Sequence, residues 1–299
     1  MQRLRGILPV MATAFADDGA LDEAGCRAIV RYNLAAGAHG IVTLGHASEF
    51  TSLSDLERER VIALTIDEVG GRVPVIIGTA GTSTEVAVMF ARIARDAGAD
   101  GLMVMPPYVT KAGGEALFGY YAAIARAVET PIVVQNAPGP VGTPMSAALL
   151  VRLAREIPGI RYIKEEAAAS THTLSAVLRD ASTDLDGVLG GESGKYFPAQ
   201  YARGACGNMP GSAITELYPP IWDALEAGDQ ATARAAHNRL FPLLNFFGLH
   251  GIEAYKEILH RRGIIGSTRT RGTAWAPLDD QDRAELATLL AEAGLGALN

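Results

Sequence analysis

Eight short apolar runs recur along the chain at roughly thirty-residue spacing, the length of one strand-plus-helix unit, and no other feature narrows the fold as far. They are Gly6 to Val10, Gly40 to Leu44, Val73 to Ile77, Gly101 to Met105, Pro131 to Val134, Ile160 to Ile163, Gly187 to Leu189 and Ala205 to Met209. Each run is continuous rather than alternating, as strands buried on both faces of a parallel sheet are. Pro9 departs from the pattern, because proline cannot donate to a strand ladder.

Helical patterns lie between the runs. Ser54-Asp55-Leu56-Glu57 and Thr82-Ser83-Thr84-Glu85 read as capping boxes, in which hydroxyl and carboxylate satisfy each other's free amides at a helix start. After Thr82, the positions Val86, Met89, Phe90, Ile93 and Ala97 follow helical spacing, and Gly98 ends it. Thr143-Pro144 predicts another start, with proline where its missing N–H costs nothing. Eight such units within residues 1–225 predict a closed (β/α)8 TIM barrel rather than an open doubly wound sheet. From about Asp229 only helices are expected, at Ala231 to Phe247, Gly251 to Arg262 and Asp279 to Ala293. With no Gly-, Ser- or Pro-rich linker before it, this extension, residues 226–299, is expected to pack on the barrel.

Composition limits the partners. The 299 residues are 48% hydrophobic and 20% charged, which suits a globular core and excludes disordered and fibrous classes. A net charge of −7 and no basic run longer than Arg261-Arg262 argue against a nucleic-acid partner. No apolar stretch approaches the roughly 20 residues of a membrane span, and Met1 to Val10 is too short for a signal peptide, so a cytoplasmic protein is expected. Cys26 and Cys206 read as small buried hydrophobes. No histidine pair has ligand spacing with a carboxylate and no dinucleotide fingerprint occurs, so neither a metal nor a cofactor is expected.

In such barrels the working residues project from the C-terminal ends of strands. The chain has four lysines, Lys111, Lys164, Lys195 and Lys256, and only Lys164 ends a predicted barrel strand. The strand period of two places Lys164 and Glu166 on one face and Glu165 on the other. A desolvated lysine beside a carboxylate can add to a ketone as an amine; a salt bridge at the rim is the structural alternative. The loop Gly45-His46-Ala47-Ser48-Glu49 could offer backbone amides and the Ser48 hydroxyl to a carboxylate, with His46 as acid or base and Glu49 as a cap. Two glycine-rich turns, Gly190 to Gly194 and Gly207 to Gly211, follow the seventh and eighth runs. They hold no arginine and only Lys195 is near, so they read as tight turns or as places where substrate meets backbone, with Gly190, Glu192 and Met209 as contacts.

These residues also carry a resemblance. The order Gly6-Ile7-Leu8-Pro9-Val10, Phe15, Asp18-Gly19, Gly45-x-x-x-Glu49, Pro106-Pro107-Tyr108, Tyr162-Ile163-Lys164-Glu165 and Gly204-Ala205-Cys206-Gly207, spread over about residues 5–265, resembles the dihydrodipicolinate synthase and N-acetylneuraminate lyase family. The resemblance implies a (β/α)8 barrel with C-terminal helices, a homotetramer, and lyase chemistry on pyruvate or another small 2-oxo acid through a Schiff base on Lys164. It also implies that proline is tolerated at position 9 and that Tyr108 reaches a neighbouring subunit's site.

The departures bear on the reaction. The family's paired hydroxyl residues are His46-Ala47 here, with Ser48 one place later. Its Tyr-Asn-x-Pro segment, whose tyrosine relays protons, is Gln135-Asn136-Ala137-Pro138, and the synthases' arginine matches Pro140. Gln135 can hydrogen-bond but cannot relay a proton. Together with Glu166, this looks like the sugar-acid dehydratase branch, keto-deoxy-arabonate dehydratases above all, with Glu166 taking over proton transfer. A pyruvate-dependent aldolase using the same imine and a catalytically silent keto-acid sensor are the alternatives.

Overall fold

A computed structural model of the chain describes residues 3–137, 142–272 and 276–296. Its eight strands are β1 (Gly6–Ile7), β2 (Ile41–Thr43), β3 (Val75–Gly78), β4 (Gly101–Val104), β5 (Ile132–Asn136), β6 (Ile160–Glu165), β7 (Gly187–Gly190) and β8 (Gly207–Asn208). They pair in parallel in the order β1-β8-β7-β6-β5-β4-β3-β2. The ring closes where Val10 bridges Val42, with the Val42 amide donating to Pro9 O at 3.0 Å and the Met11 amide to Val42 O at 2.8 Å. Pro9 therefore serves the ladder as an acceptor, which needs no N–H. Each apolar run supplies one strand.

The helices after successive strands are α1 (Glu23–Ala35), α2 (Asp55–Val69), α3 (Thr84–Asp96), α4 (Gly114–Ala127), α5 (Ala147–Glu156), α6 (Ser170–Ala181), α7 (Phe197–Tyr201) and α8 (Pro219–Glu226). The extension adds α9 (Gln230–Asn238), α10 (Phe241–His250), α11 (Ile252–Arg261) and α12 (Asp280–Glu292). Among the described residues, no helix is long and apolar enough to cross a membrane.

Two layers of side chains result from the strand period. Val42, Ile76, Met103, Val133, Tyr162, Leu189 and Met209 fill the barrel axis, while Ile41, Ile77, Leu102, Ile132, Ile163 and Val188 pack outward on the helices. Each fully buried aliphatic side chain contributes about 1.5–3 kcal/mol. Tyr162 plugs the floor, its hydroxyl accepting from the Leu4 amide at 3.1 Å.

Four local expectations shift. The Ser54–Glu57 capping box forms, but the cap of α3 is Ser83, accepting from the Val86 amide, rather than Thr82. Its buried stripe is accordingly Ala87, Phe90, Ala91 and Ala94, which leaves Met89 exposed. The helix predicted at Thr143-Pro144 begins at Ala147, because the Ser146 hydroxyl provides the cap. The continuous helix predicted over Ala231 to Phe247 is two, since Pro242 stands in the first turn of α10, where it starts a helix but cannot continue one. Pro138 and Pro140 lie outside the described residues.

Candidate active site

A register shift opposite Ile132–Val133 decides what β6 presents to the barrel axis. Ile132 pairs with Ile160 but Val133 with Tyr162, so Arg161 is the extra residue of a bulge. Beyond it Tyr162 and Lys164 face the axis, and Gln135 stands level with Lys164 on the neighbouring strand. Lys164 thus rests on the apolar plug with its amine toward a cavity of about 420 Å³ at the C-terminal end of the barrel.

The amine lies 3.1 Å from Glu166 Oε2, and both side chains are nearly closed to bulk water, at 6% and 11% exposure. Gln135 Nε2 donates to Glu166 Oε1 at 2.6 Å, and the Glu192 amide donates to Oε2 at 3.2 Å. Burial alone would raise the Glu166 pKa. The Lys164 charge, the Gln135 amide and the Glu192 N–H outweigh it and hold the carboxyl below its usual range. Glu165 faces away from this pair: Asn136 Nδ2 donates to it at 2.7 Å and the Ala167 amide at 2.9 Å. Burial pushes it up to about 7 despite those bonds.

Gly191 makes the packing possible. A Cβ there would fall 2.0 Å from Glu166 Oε2 and 2.9 Å from Lys164 Cε, so what approaches this backbone is the protein's own ion pair. Backbone strain concentrates on the same face of the barrel. Among the described residues, the non-glycine positions with positive φ are Leu44, Glu49, Ala169, Glu192 and Ser193, all in loops after β2, β6 and β7. Each costs about 1–2 kcal/mol, and such outliers cluster at functional sites.

The cavity brings together Lys164, Glu166, Gln135, Glu192, Met209 and the His46-Ala47 pair. His46 is solvent-reachable yet crowded by the cavity wall, and desolvation lowers its pKa, favouring the neutral ring. Gly45, Ser48, Tyr108 and Gly190 are not on the wall. The Ser48 hydroxyl donates to Met11 O at 2.5 Å and accepts from the Gly45 amide at 3.1 Å, so it braces the loop instead of offering itself to a carboxylate. Tyr108 packs edge-on against Phe50, with ring centroids 5.4 Å apart. Gly190 backs onto Gln200 and Asn208.

Sequence reasoning missed Thr51, Ser52, Tyr255 and Gly272, which also line the cavity. Tyr255 and Gly272 come from the C-terminal extension, where a core tyrosine and a loop glycine carry no local signal. Glu49 does more than cap: its Oε2 accepts from the Arg271 and Gly272 amides at 2.8 and 3.1 Å, fastening that segment to the rim. Among the described residues, no group of three or more His, Cys, Asp or Glu side chains is placed to hold a metal ion.

A closed parallel barrel with a buried lysine–glutamate pair at the C-terminal end of its sixth strand defines a class of barrel enzyme. The Dihydrodipicolinate synthetase family matches over residues 3–293, and the chain belongs to that family. It is a lyase of that family. It is 35% identical to L-2-keto-3-deoxyarabonate dehydratase of Azospirillum brasilense, over 95% of this chain and 93% of that one. Identity to the 4-hydroxy-tetrahydrodipicolinate synthase of Methanospirillum hungatei is 34%, over 80% and 82%. The crystal structure of YagE, an E. coli prophage protein of the dihydrodipicolinic acid synthase family in complex with pyruvate, superposes with a TM-score of 0.91 at 30% identity, covering 98% of this chain and 99% of that one.

Proposed function

We propose that the enzyme dehydrates a 2-oxo-3-deoxy sugar acid through a Schiff base on Lys164, with Glu166 as the proton-transfer group. The observation that carries this is Glu166 itself, 3.1 Å from the amine and oriented by Gln135, with the side chain on β5 level with the lysine unable to relay a proton. The likeness to the arabonate dehydratase supports the substrate class.

The lysine ammonium passes a proton to the adjacent carboxylate, the neutral amine adds to the C2 ketone, and Glu166 returns that proton to the carbinolamine hydroxyl, which leaves as water, so that an iminium and an ionised Glu166 result. Its charge acidifies C3. Glu166 removes a C3 proton, and the resulting enamine pushes out the C4 hydroxyl, which leaves as water with that proton. Hydrolysis of the unsaturated iminium then frees the amine. The substrate carboxylate lies toward the Ala47 end of the His46–Ser48 turn, and Glu192 lies toward its distal hydroxyls.

Incubation with 2-oxo-3-deoxy sugar acids, with product analysis, tests the reaction. A dehydrated semialdehyde is expected; release of pyruvate and an aldehyde instead marks an aldolase, and no turnover of any such acid, with no borohydride-trapped lysine, marks a binding protein. Glu166→Gln should lower kcat about 10²–10⁴-fold while the imine still forms. Unchanged turnover would remove Glu166 from its role.

A further inference from the structure

The turn after β7 is left-handed at three consecutive residues, Glu192 (φ 50°), Ser193 (φ 53°) and Gly194 (φ 78°). Only the last is a glycine, so the turn needs outside support. Its support comes from the head of the last barrel helix and from the C-terminal extension. Tyr218, at the head of α8, donates its hydroxyl to Ser193 O at 2.9 Å; His237 of α9 places Nε2 2.9 Å from Gly194 O; and Tyr255 of α11 bonds the Ser193 hydroxyl at 2.8 Å. A carbonyl only accepts, so Nε2 of His237 carries its proton. All three side chains are buried. The amide at the start of the same turn, that of Glu192, is the one that donates to Glu166.

We propose that the C-terminal helices act on proton transfer through this turn: Tyr255 and His237, with Tyr218, are positioning residues that hold the Glu192 amide on the Glu166 carboxylate. None of the three bonds Glu166 itself. Their effect passes through a strained backbone that relaxes when a support is removed, and relaxation withdraws a donor from the charged carboxylate. An amide bonded to a carboxylate favours its ionised form, so withdrawal raises the pH at which the base becomes competent. The other titratable groups within electrostatic reach of Glu166 are Lys164 on the same face of β6, Glu165 on its opposite face, His46 after β2 and the Glu192 side chain. Tyr255→Phe leaves all of them in place.

This inference rests on Glu166 as the base, and it can be tested without knowing the sugar acid. Pyruvate in D2O exchanges its methyl protons through the same imine and base, and the rate can be followed by NMR across pH. In the full chain, Tyr255→Phe and Ser193→Ala should each slow exchange about three- to tenfold, the loss of one hydrogen bond. The acid limb should move to higher pH, with borohydride trapping of pyruvate undiminished. The double variant should be no slower than either single one, because both remove the same bond. A lower melting temperature with an unmoved exchange rate and acid limb overturns the inference, and so do additive effects. If Tyr255→Phe fails to fold, Ser193→Ala decides alone. Exchange surviving in Glu166→Gln brings down the base assignment; a silent Glu166→Gln beside an unaltered Tyr255→Phe brings down only the positioning role.

Discussion

Two buried lysine–glutamate pairs sit about the mouth of this barrel, and they are built from the same parts. Lys164 and Glu166 meet at 3.1 Å, and so do Lys256 of α11 and Glu49 of the β2 loop. The surroundings of the two amines differ. Lys256 is fully enclosed, its Nζ donates to Thr13 O and to Arg269 O as well as facing Glu49, and it lies 4.5 Å from the centre of the Phe15 ring. Two carbonyls take hydrogen bonds from the amine, Glu49 Oε1 stands at ion-pair distance, and desolvation lowers the Lys256 pKa against the pull of Glu49. Lys164 has Glu166 on one side and open cavity on the other. An ion pair becomes a reactive site when one face of the amine is left to a ligand, and a fastening when the protein encloses the amine on every side.

The sharpest test of that contrast exchanges the roles by substitution. Lys164→Met should lower turnover by more than about 10³-fold and abolish borohydride trapping; it also takes the counter-ion from the buried Glu166 carboxylate, so the melting temperature should fall as well. Lys256→Met should leave trapping in place. It strands Glu49 as a buried, unpaired carboxylate and should cost about 3–5 kcal/mol in denaturant unfolding, while the folded fraction still traps pyruvate. Trapping lost in step with the amine at position 256 would break the comparison.

A smaller effect is expected from Gly191→Ala. The new methyl displaces the Glu166 carboxylate or the Lys164 stem by an ångström or so, which should cost about 10²-fold in kcat and about 1–3 kcal/mol in stability. The smallest concerns the rim. Arg271 hydrogen-bonds Glu57 at 2.6 Å and holds that carboxyl down to about 2, against an ordinary 4.5. A lowered carboxyl stabilises the fold fully above its unfolded pKa, so this contribution should vanish as pH falls from about 4.5 toward 2. In Arg271→Met the acid-side loss of melting temperature should be shallower over that window.

Much of this was readable before folding. The thirty-residue repeat specifies the barrel because a run buried on both faces can be satisfied only in a parallel sheet covered by helices. The step of two from Lys164 to Glu166 places both on one side of a strand whatever the strand packs against. Reasoning from single residues failed where a group had two possible partners. The Ser48 hydroxyl looked available for a ligand, and the backbone of Met11 took it. The cap of α3 moved one residue because Thr82 and Ser83 can both serve and only packing chooses between them.

Local periodicity by itself determined the eight strands, their order of use and the lysine near the C-terminal end of the sixth. Tertiary structure alone decided that Tyr255 would brace Ser193 across 62 residues, and that Lys256 would meet Glu49 rather than an open cavity. The physical reason is range: burial and strand alternation act between neighbours a few residues apart, whereas the choice among equally able hydrogen-bond partners is made by which of them the closed barrel brings within about 3 Å.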